Sequence, residues 1–103
     1  MITERRVFQA KTGEAAAVVA KLKEGQPMLE KLGYLAGRIY TDFYSGRSDR
    51  VVWEFDHENL SDLENLERGL PQDPELLKVF ENWFGGLKSV IEGAEVELWR
   101  RET

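Results

Sequence analysis

Two hydrophobic periodicities alternate along this chain. Apolar residues at every second position are typical of strands, and apolar residues at every third or fourth position are typical of helices. The two-residue period predicts four strands, at residues 2–11, 36–44, 50–55 and 94–100. The helical period predicts helical segments between the first and second strands and between the third and fourth. This order is a doubled βαβ unit, so we predict a ferredoxin-like βαββαβ fold of the α+β class with a four-stranded antiparallel sheet.

Helix boundaries follow from residues that cap or interrupt helices. Thr12 is the predicted N-cap of the first helix, and Gly33 is its predicted end. Pro27 falls inside this helix, so we expect one kinked helix in preference to two.

The segment after the third strand carries two N-cap signals. Ser61, with Glu64 three residues later, forms a capping box that opens a short helix ending near residues 69–71. Asp73, followed by proline, predicts the start of a longer helix, which we expect to end at Gly93.

The predicted sheet has two unlike faces. Strand three places Val51 and Trp53 on an apolar side, whereas strands two and four turn Tyr40, Tyr44 and Trp99 to the other side. Strand one is mixed on both sides, so its periodicity does not show which side faces the helices. Because both helices must cover the same sheet face, the opposite face needs another cover. We therefore predict a homodimer that forms through the open sheet face.

Composition narrows the function classes. The 103 residues predict a single domain spanning 1–103, with a net charge of −5, no cysteine and one histidine. These counts exclude disulfides and cysteine-ligated metal centres, so we predict no metal site and no resident cofactor. The acidic balance argues against binding to nucleic acid. No segment has the apolar core of a signal peptide or a membrane span, so we expect no membrane association and a cytoplasmic location.

Several segments together resemble the NIPSNAP-like proteins of the dimeric α/β barrel superfamily. The opening strand ends in Lys-Thr-Gly at 11–13, where the family has Lys-Pro-Gly, and strand three contains Trp-Glu-Phe-Asp at 53–56. Pro27, residues 29–33 and the Asp-Pro-Glu at 73–75 also match in order. The family's arginine cluster after strand three is replaced here by the acidic run at 62–67. The resemblance implies a dimeric α/β barrel and leaves the activity open.

Candidate site residues are those that a cavity between sheet and helices, or within the barrel, would use. Glu4 and Arg6 share a strand face and can form an ion pair there. His57 is either a general base or haem ligand, or an exposed loop residue among acids. The predicted cavity-lining set is Arg6, Tyr40, Trp53, Glu54, His57 and Trp83. For each of these residues the alternative is a purely structural role, in the core or in the dimer interface.

Three functional hypotheses remain open. The first is a homodimeric small-molecule-binding or interaction module with no assigned catalysis. The second is a cofactor-independent monooxygenase or isomerase acting on an aromatic or polyketide-like substrate, which Trp53, Trp83 and Tyr40 would hold while Arg6 or His57 handles charge. The third is a structural partner domain.

Overall fold

The computed structural model describes residues 1–69 and 72–103. Its elements are β1 (Ile2–Ala10), α1 (Ala15–Leu32), β2 (Arg38–Thr41), β3 (Arg50–His57), α2 (Leu60–Gly69), α3 (Pro74–Lys88) and β4 (Ile91–Arg100). The strands form one antiparallel sheet in the order β2-β3-β1-β4. This arrangement confirms the predicted ferredoxin-like α+β fold.

Strand pairing decides which face of β1 meets the helices. Glu4 lies opposite Phe55, Arg6 opposite Trp53, and Phe8 opposite Val51. Directly opposed residues of an antiparallel pair lie on the same face, so Glu4, Arg6 and Phe8 share the helix face with the buried residues of β3. The core is packed between this face, α1 and α3, where Val18 and Leu22 of α1 are fully buried.

β4 is covered less completely than its alternation predicts. Val96 and Leu98 lie opposite Arg6 and Glu4, on the helix face of the sheet, yet about half of each side chain is exposed. α1 packs against β2 and β3, and α2 packs against β3, on the far side of β1 from this edge strand.

The first helix continues through Pro27 as one element and ends where the sequence predicts. Gly33 adopts a left-handed backbone with φ of 108°, and its N–H donates to the carbonyl of Glu30. The N–H of Tyr34 donates to the carbonyl of Leu29, which completes a Schellman motif. Thr12 is not the N-cap, because the helix starts at Ala15 after Glu14 and no side chain caps it.

Two further boundaries differ from the prediction. α2 is capped by Asn59, whose Oδ1 accepts from the N–H of Asp62, and not by Ser61. Gly93 does not end a helix, since α3 stops at Lys88 and Gly93 lies inside β4. The predicted cap of α3 is present: Asp73 accepts from the N–H of Leu76. The predicted end of the short helix reaches residues 70 and 71, which lie outside the described residues.

Candidate ligand-binding cleft

A cleft of about 180 Å³ lies between the sheet and the helices. Most of its wall is aromatic or aliphatic, and its polar groups come from an arginine, a glutamate and a tyrosine. The lining residues are Arg6, Phe8, Leu29, Leu32, Tyr34, Trp53, Phe55, Leu66, Glu67, Phe80, Trp83, Phe84 and Leu87. Such a wall suits a small, largely apolar molecule that carries few polar groups.

Two buried tryptophans in this wall are held in place by hydrogen bonds. The indole N–H of Trp53 donates to Oε1 of Gln26 at 3.1 Å, and that of Trp83 donates to the backbone carbonyl of Lys21 at 2.6 Å. Their ring centroids are 6.1 Å apart. Because buried indole N–H groups need a partner, these bonds from α1 fix both rings against the cleft.

Gly25 lets α1 approach α3 closely enough to shape this part of the core. A Cβ at this position would lie 2.6 Å from the indole of Trp83. The close approach explains why a residue of low helix propensity occupies the middle of α1.

A buried carboxylate organises the charged side of the cleft. Glu4 is 1% exposed, and its Oε2 accepts from Nε–H of Arg6 at 2.6 Å. Its other oxygen, Oε1, accepts from Nε2–H of His57 at 3.0 Å. His57 is 4% exposed, whereas the side chain of Arg6 is 36% exposed. Glu4 therefore holds a buried imidazole on one side and a cleft-facing guanidinium on the other. The ion pair expected from the shared strand face is present.

Tyr34 joins this charged cluster to the cleft. Its ring packs edge-on against His57, with centroids 5.5 Å apart, and against Phe55 at 5.2 Å. Burial raises the pKa of the Tyr34 phenol to about 12, and the negative charge of Glu4 adds to the effect. The phenol is therefore protonated at neutral pH and is a hydrogen-bond donor.

The opposite face of the sheet carries a network of ion pairs. Glu54 binds Arg5 at 2.7 Å and Arg38 at 3.3 Å, and Arg38 binds Asp56 at 2.8 Å. Thr3 donates a further hydrogen bond to Asp56. The bond from Arg38 is the main cause that lowers the pKa of Asp56 to about 2. We call the face that carries this network the open face.

The structure separates the six predicted cavity residues into three groups, of which His57 alone is the third. Arg6, Trp53 and Trp83 line the cleft. Tyr40 and Glu54 do not, because both lie on the open face, where Glu54 belongs to the ion-pair network. A site in which Arg6, Tyr40 and Glu54 converge is therefore excluded by the sheet itself.

The structure contradicts two expectations for His57, its exposure in a loop and its place in the cavity wall. It is not an exposed loop residue, because β3 extends to His57 and pairs it with Ile2. It is also absent from the cleft wall, because it lies behind Tyr34 and Glu4. Tyr34 was missed by sequence reasoning. The available signal was its place directly after the helix-ending glycine, where an apolar residue commonly packs back on the helix.

Solved structures share this fold over nearly the whole chain. A NIPSNAP domain protein from Burkholderia xenovorans has a TM-score of 0.77 at 16% identity, over 98% of this chain and 94% of that chain. A NIPSNAP family protein from Agrobacterium tumefaciens has a TM-score of 0.75 at 21% identity, over 98% and 87%. A putative antibiotic biosynthesis monooxygenase from Bordetella bronchiseptica has a TM-score of 0.74 at 13% identity, over 99% and 97%.

These similarities establish the fold. The chain shares its fold with NIPSNAP proteins and with proteins described as putative antibiotic biosynthesis monooxygenases. The resemblance predicted from the sequence is thus confirmed as a likeness to NIPSNAP structures. No protein-family model matches the chain, and no curated protein sequence matches it. Among the described residues, no helix is both long enough and apolar enough to cross a membrane.

Proposed function

We propose that this protein is a homodimeric, NIPSNAP-like module that binds a small aromatic molecule in the cleft between the sheet and the helices. The observation that carries the proposal is the cleft itself, whose aromatic wall leaves about 180 Å³ unfilled next to Arg6 and Tyr34. A concave site with a mostly apolar wall and a few polar groups is the usual form of a small-molecule site. The proposal includes a cytoplasmic location, which cell fractionation would test.

The indole N–H groups provide a direct test. Trp53 and Trp83 line the cleft, whereas Trp99 lies on the open face opposite Thr3. In a proton–nitrogen correlation spectrum, an aromatic ligand added to the ¹⁵N-labelled protein should shift the Trp53 and Trp83 signals and leave that of Trp99 in place. If no member of a panel of one- and two-ring aromatic compounds shifts either cleft signal at millimolar concentration, the proposal is wrong.

A second candidate function is cofactor-independent oxidation of an aromatic substrate. It is favoured by the buried Glu4–His57 pair, which adjoins two cleft residues, Arg6 and Tyr34. One of the structural neighbours is described as a putative antibiotic biosynthesis monooxygenase. In such a reaction, one oxygen atom of O₂ enters the substrate and the other leaves as water with two hydrogens that the substrate supplies. Arg6 and the protonated Tyr34 would stabilise a substrate oxyanion by hydrogen bonding.

An oxygen electrode distinguishes binding from this oxidation. Wild-type protein supplied with a reduced polycyclic phenol should consume one O₂ per substrate oxidised, and the Arg6→Met variant should not. If a ligand binds but no oxygen is consumed, the oxidation is wrong and small-molecule binding stands as the proposed function.

The homodimer in this proposal is supported by the open face. The helices leave this face uncovered, and Tyr40 and Trp99 are 49% and 56% exposed on it. Monomers rarely expose several large aromatic groups on one face, and a second copy related by a twofold axis would cover them. The ion pairs of Glu54 satisfy the charges that such an interface would bury.

Light scattering tests the dimer directly. We expect a mass near twice 11.9 kDa at micromolar concentration, and a mass of 11.9 kDa would contradict the proposal. Trp99→Ser should weaken the dimer. Val79→Ser removes an equally exposed apolar group from α3 and should not.

A further inference from the structure

Arg6 has hydrogen-bonding capacity that the protein does not use. Its Nε is bound to Glu4, but within residues 1–69 and 72–103 no acceptor is hydrogen-bonded to its terminal nitrogens, Nη1 and Nη2. The side chain lines the cleft and is about one third exposed. A guanidinium whose Nε is held by a carboxylate keeps its two terminal groups in a fixed plane, a geometry that suits a bidentate anion.

Tyr34 supplies a second donor to the same cleft. Its phenol is protonated at neutral pH, and its hydroxyl has no hydrogen-bond partner in the described part of the chain. The ring of Tyr34 contacts His57, which is bound to Glu4 beside Arg6, so Tyr34 and Arg6 lie on the same side of the cleft.

The remaining polar group of the cleft limits the charge of the ligand. Glu67 is exposed on α2 and lines the cleft. A ligand with one negative group can place it near Arg6 and keep an uncharged body elsewhere, whereas a second negative group would meet Glu67 or an apolar wall. The arrangement therefore favours a monoanion.

The geometry points to a ligand class: a small aromatic monocarboxylate, whose carboxylate is bound by the terminal groups of Arg6 and by the hydroxyl of Tyr34 while its ring packs against the apolar wall to which Trp53 and Trp83 contribute. This inference rests on the proposed function, because it names the ligand class of the same cleft. Phosphate esters and other dianions are disfavoured by Glu67.

Two probes of equal shape test the inference, 2-naphthoate and its uncharged counterpart 2-naphthamide, each titrated calorimetrically into the 103-residue protein. A charge-assisted hydrogen-bond pair at a partly exposed site should make the carboxylate bind about tenfold more tightly than the amide. Arg6→Met should abolish this preference, and Arg6→Lys should keep only part of it because the planar fork is lost. Arg47→Met, in the loop between β2 and β3, removes the same charge outside the cleft and should leave the preference unchanged.

Glu67→Gln gives an independent measurement that leaves the buried cluster intact. Removal of this exposed carboxylate should strengthen binding of 2-naphthoate by up to about fivefold and leave binding of 2-naphthamide unchanged. Equal affinity for the two probes, or a preference that survives in Arg6→Met, would overturn the carboxylate inference while cleft binding stands. Failure of both probes to bind or to shift the cleft indole signals would overturn the proposed function as well.

Discussion

The buried carboxylate of Glu4 gives the sharpest stability prediction. Glutamine at this position keeps the size of the side chain but offers one acceptor oxygen where glutamate offers two. That oxygen can accept from Nε–H of Arg6, and the amide N–H can donate to Nε2 of His57 if the imidazole changes tautomer. The hydrogen bond to His57 then joins two neutral groups, and the bond to Arg6 has only one charged partner. Both contacts are kept, but the ion pair between Glu4 and Arg6 is lost.

The expected magnitude follows from that difference. Hydrogen bonds between charged partners contribute about 1.5–3 kcal/mol and neutral ones about 0.5–1.5 kcal/mol. Since Arg6 is one third exposed and can turn toward water, we expect Glu4→Gln to lower the free energy of unfolding by about 1–2 kcal/mol. Glu4→Met has no polar atoms to offer and leaves the buried His57 without its partner, so its loss should be about 2–4 kcal/mol.

Urea denaturation at one fixed protein concentration measures these values, because a dimer would make the midpoint depend on concentration. Glu64→Gln is the matched control: its side chain is 63% exposed and lies 3.5 Å from Arg68 in an i,i+4 pair, so its loss should stay within about 0.5 kcal/mol. The reasoning would be refuted if Glu4→Gln cost no more than Glu64→Gln, or if Glu4→Met were the milder of the two changes at Glu4.

Three further changes have expected outcomes. Gly25→Ala should lower the free energy of unfolding by about 1–3 kcal/mol, because the new Cβ would lie 2.6 Å from the indole of Trp83; thermal denaturation measures this, and an unchanged Tm would contradict it. Gly85→Ala, in the same assay, should raise stability by about 0.5–1 kcal/mol, because this exposed position inside α3 has nothing within 4 Å of the added Cβ. The hydrogen bond from Arg38 lowers the pKa of Asp56 from 3.8 to about 2, so the native state favours the ionised carboxylate and its contribution is present above pH 4 and lost as the pH falls toward 2. In Asp56→Asn the urea midpoint should therefore change less between pH 4 and pH 2 than in the wild-type protein. If the midpoint has the same pH dependence in both proteins, the result argues against the Asp56–Arg38 pair.

Much of the fold could be predicted because several local signals agree. Val51, Trp53 and Phe55 alternate as a buried strand face should, and all three are at most 2% exposed. Gly33 ends α1 with a left-handed backbone, and the side chain of Asp73 caps the start of α3, as predicted. One helix start was predicted wrongly: Ser61 was expected to cap α2, whereas Asn59, two residues earlier and also a favourable N-cap residue, caps it.

The charged cluster was harder to predict for a physical reason. β1 buries Glu4 at a core position, so the alternation that orients a strand is broken by the residues that matter for the site. His57 continues the two-residue step of Val51, Trp53 and Phe55, but three flanking polar residues made it resemble a loop. Polar groups that satisfy one another in the core leave no hydrophobic pattern, and only strand pairing brings Glu4 and His57 together.

Glu4, Arg5 and Arg6 are consecutive in β1, yet they serve opposite sides of the sheet. Glu4 and Arg6 organise the cleft, while Arg5 pairs with Glu54 on the open face. Insertion or deletion of one residue here would turn all three side chains to the wrong side at once. β1 should therefore tolerate single substitutions far better than a change in length, whereas the loop between β2 and β3, which is exposed at residues 43–48, should tolerate both.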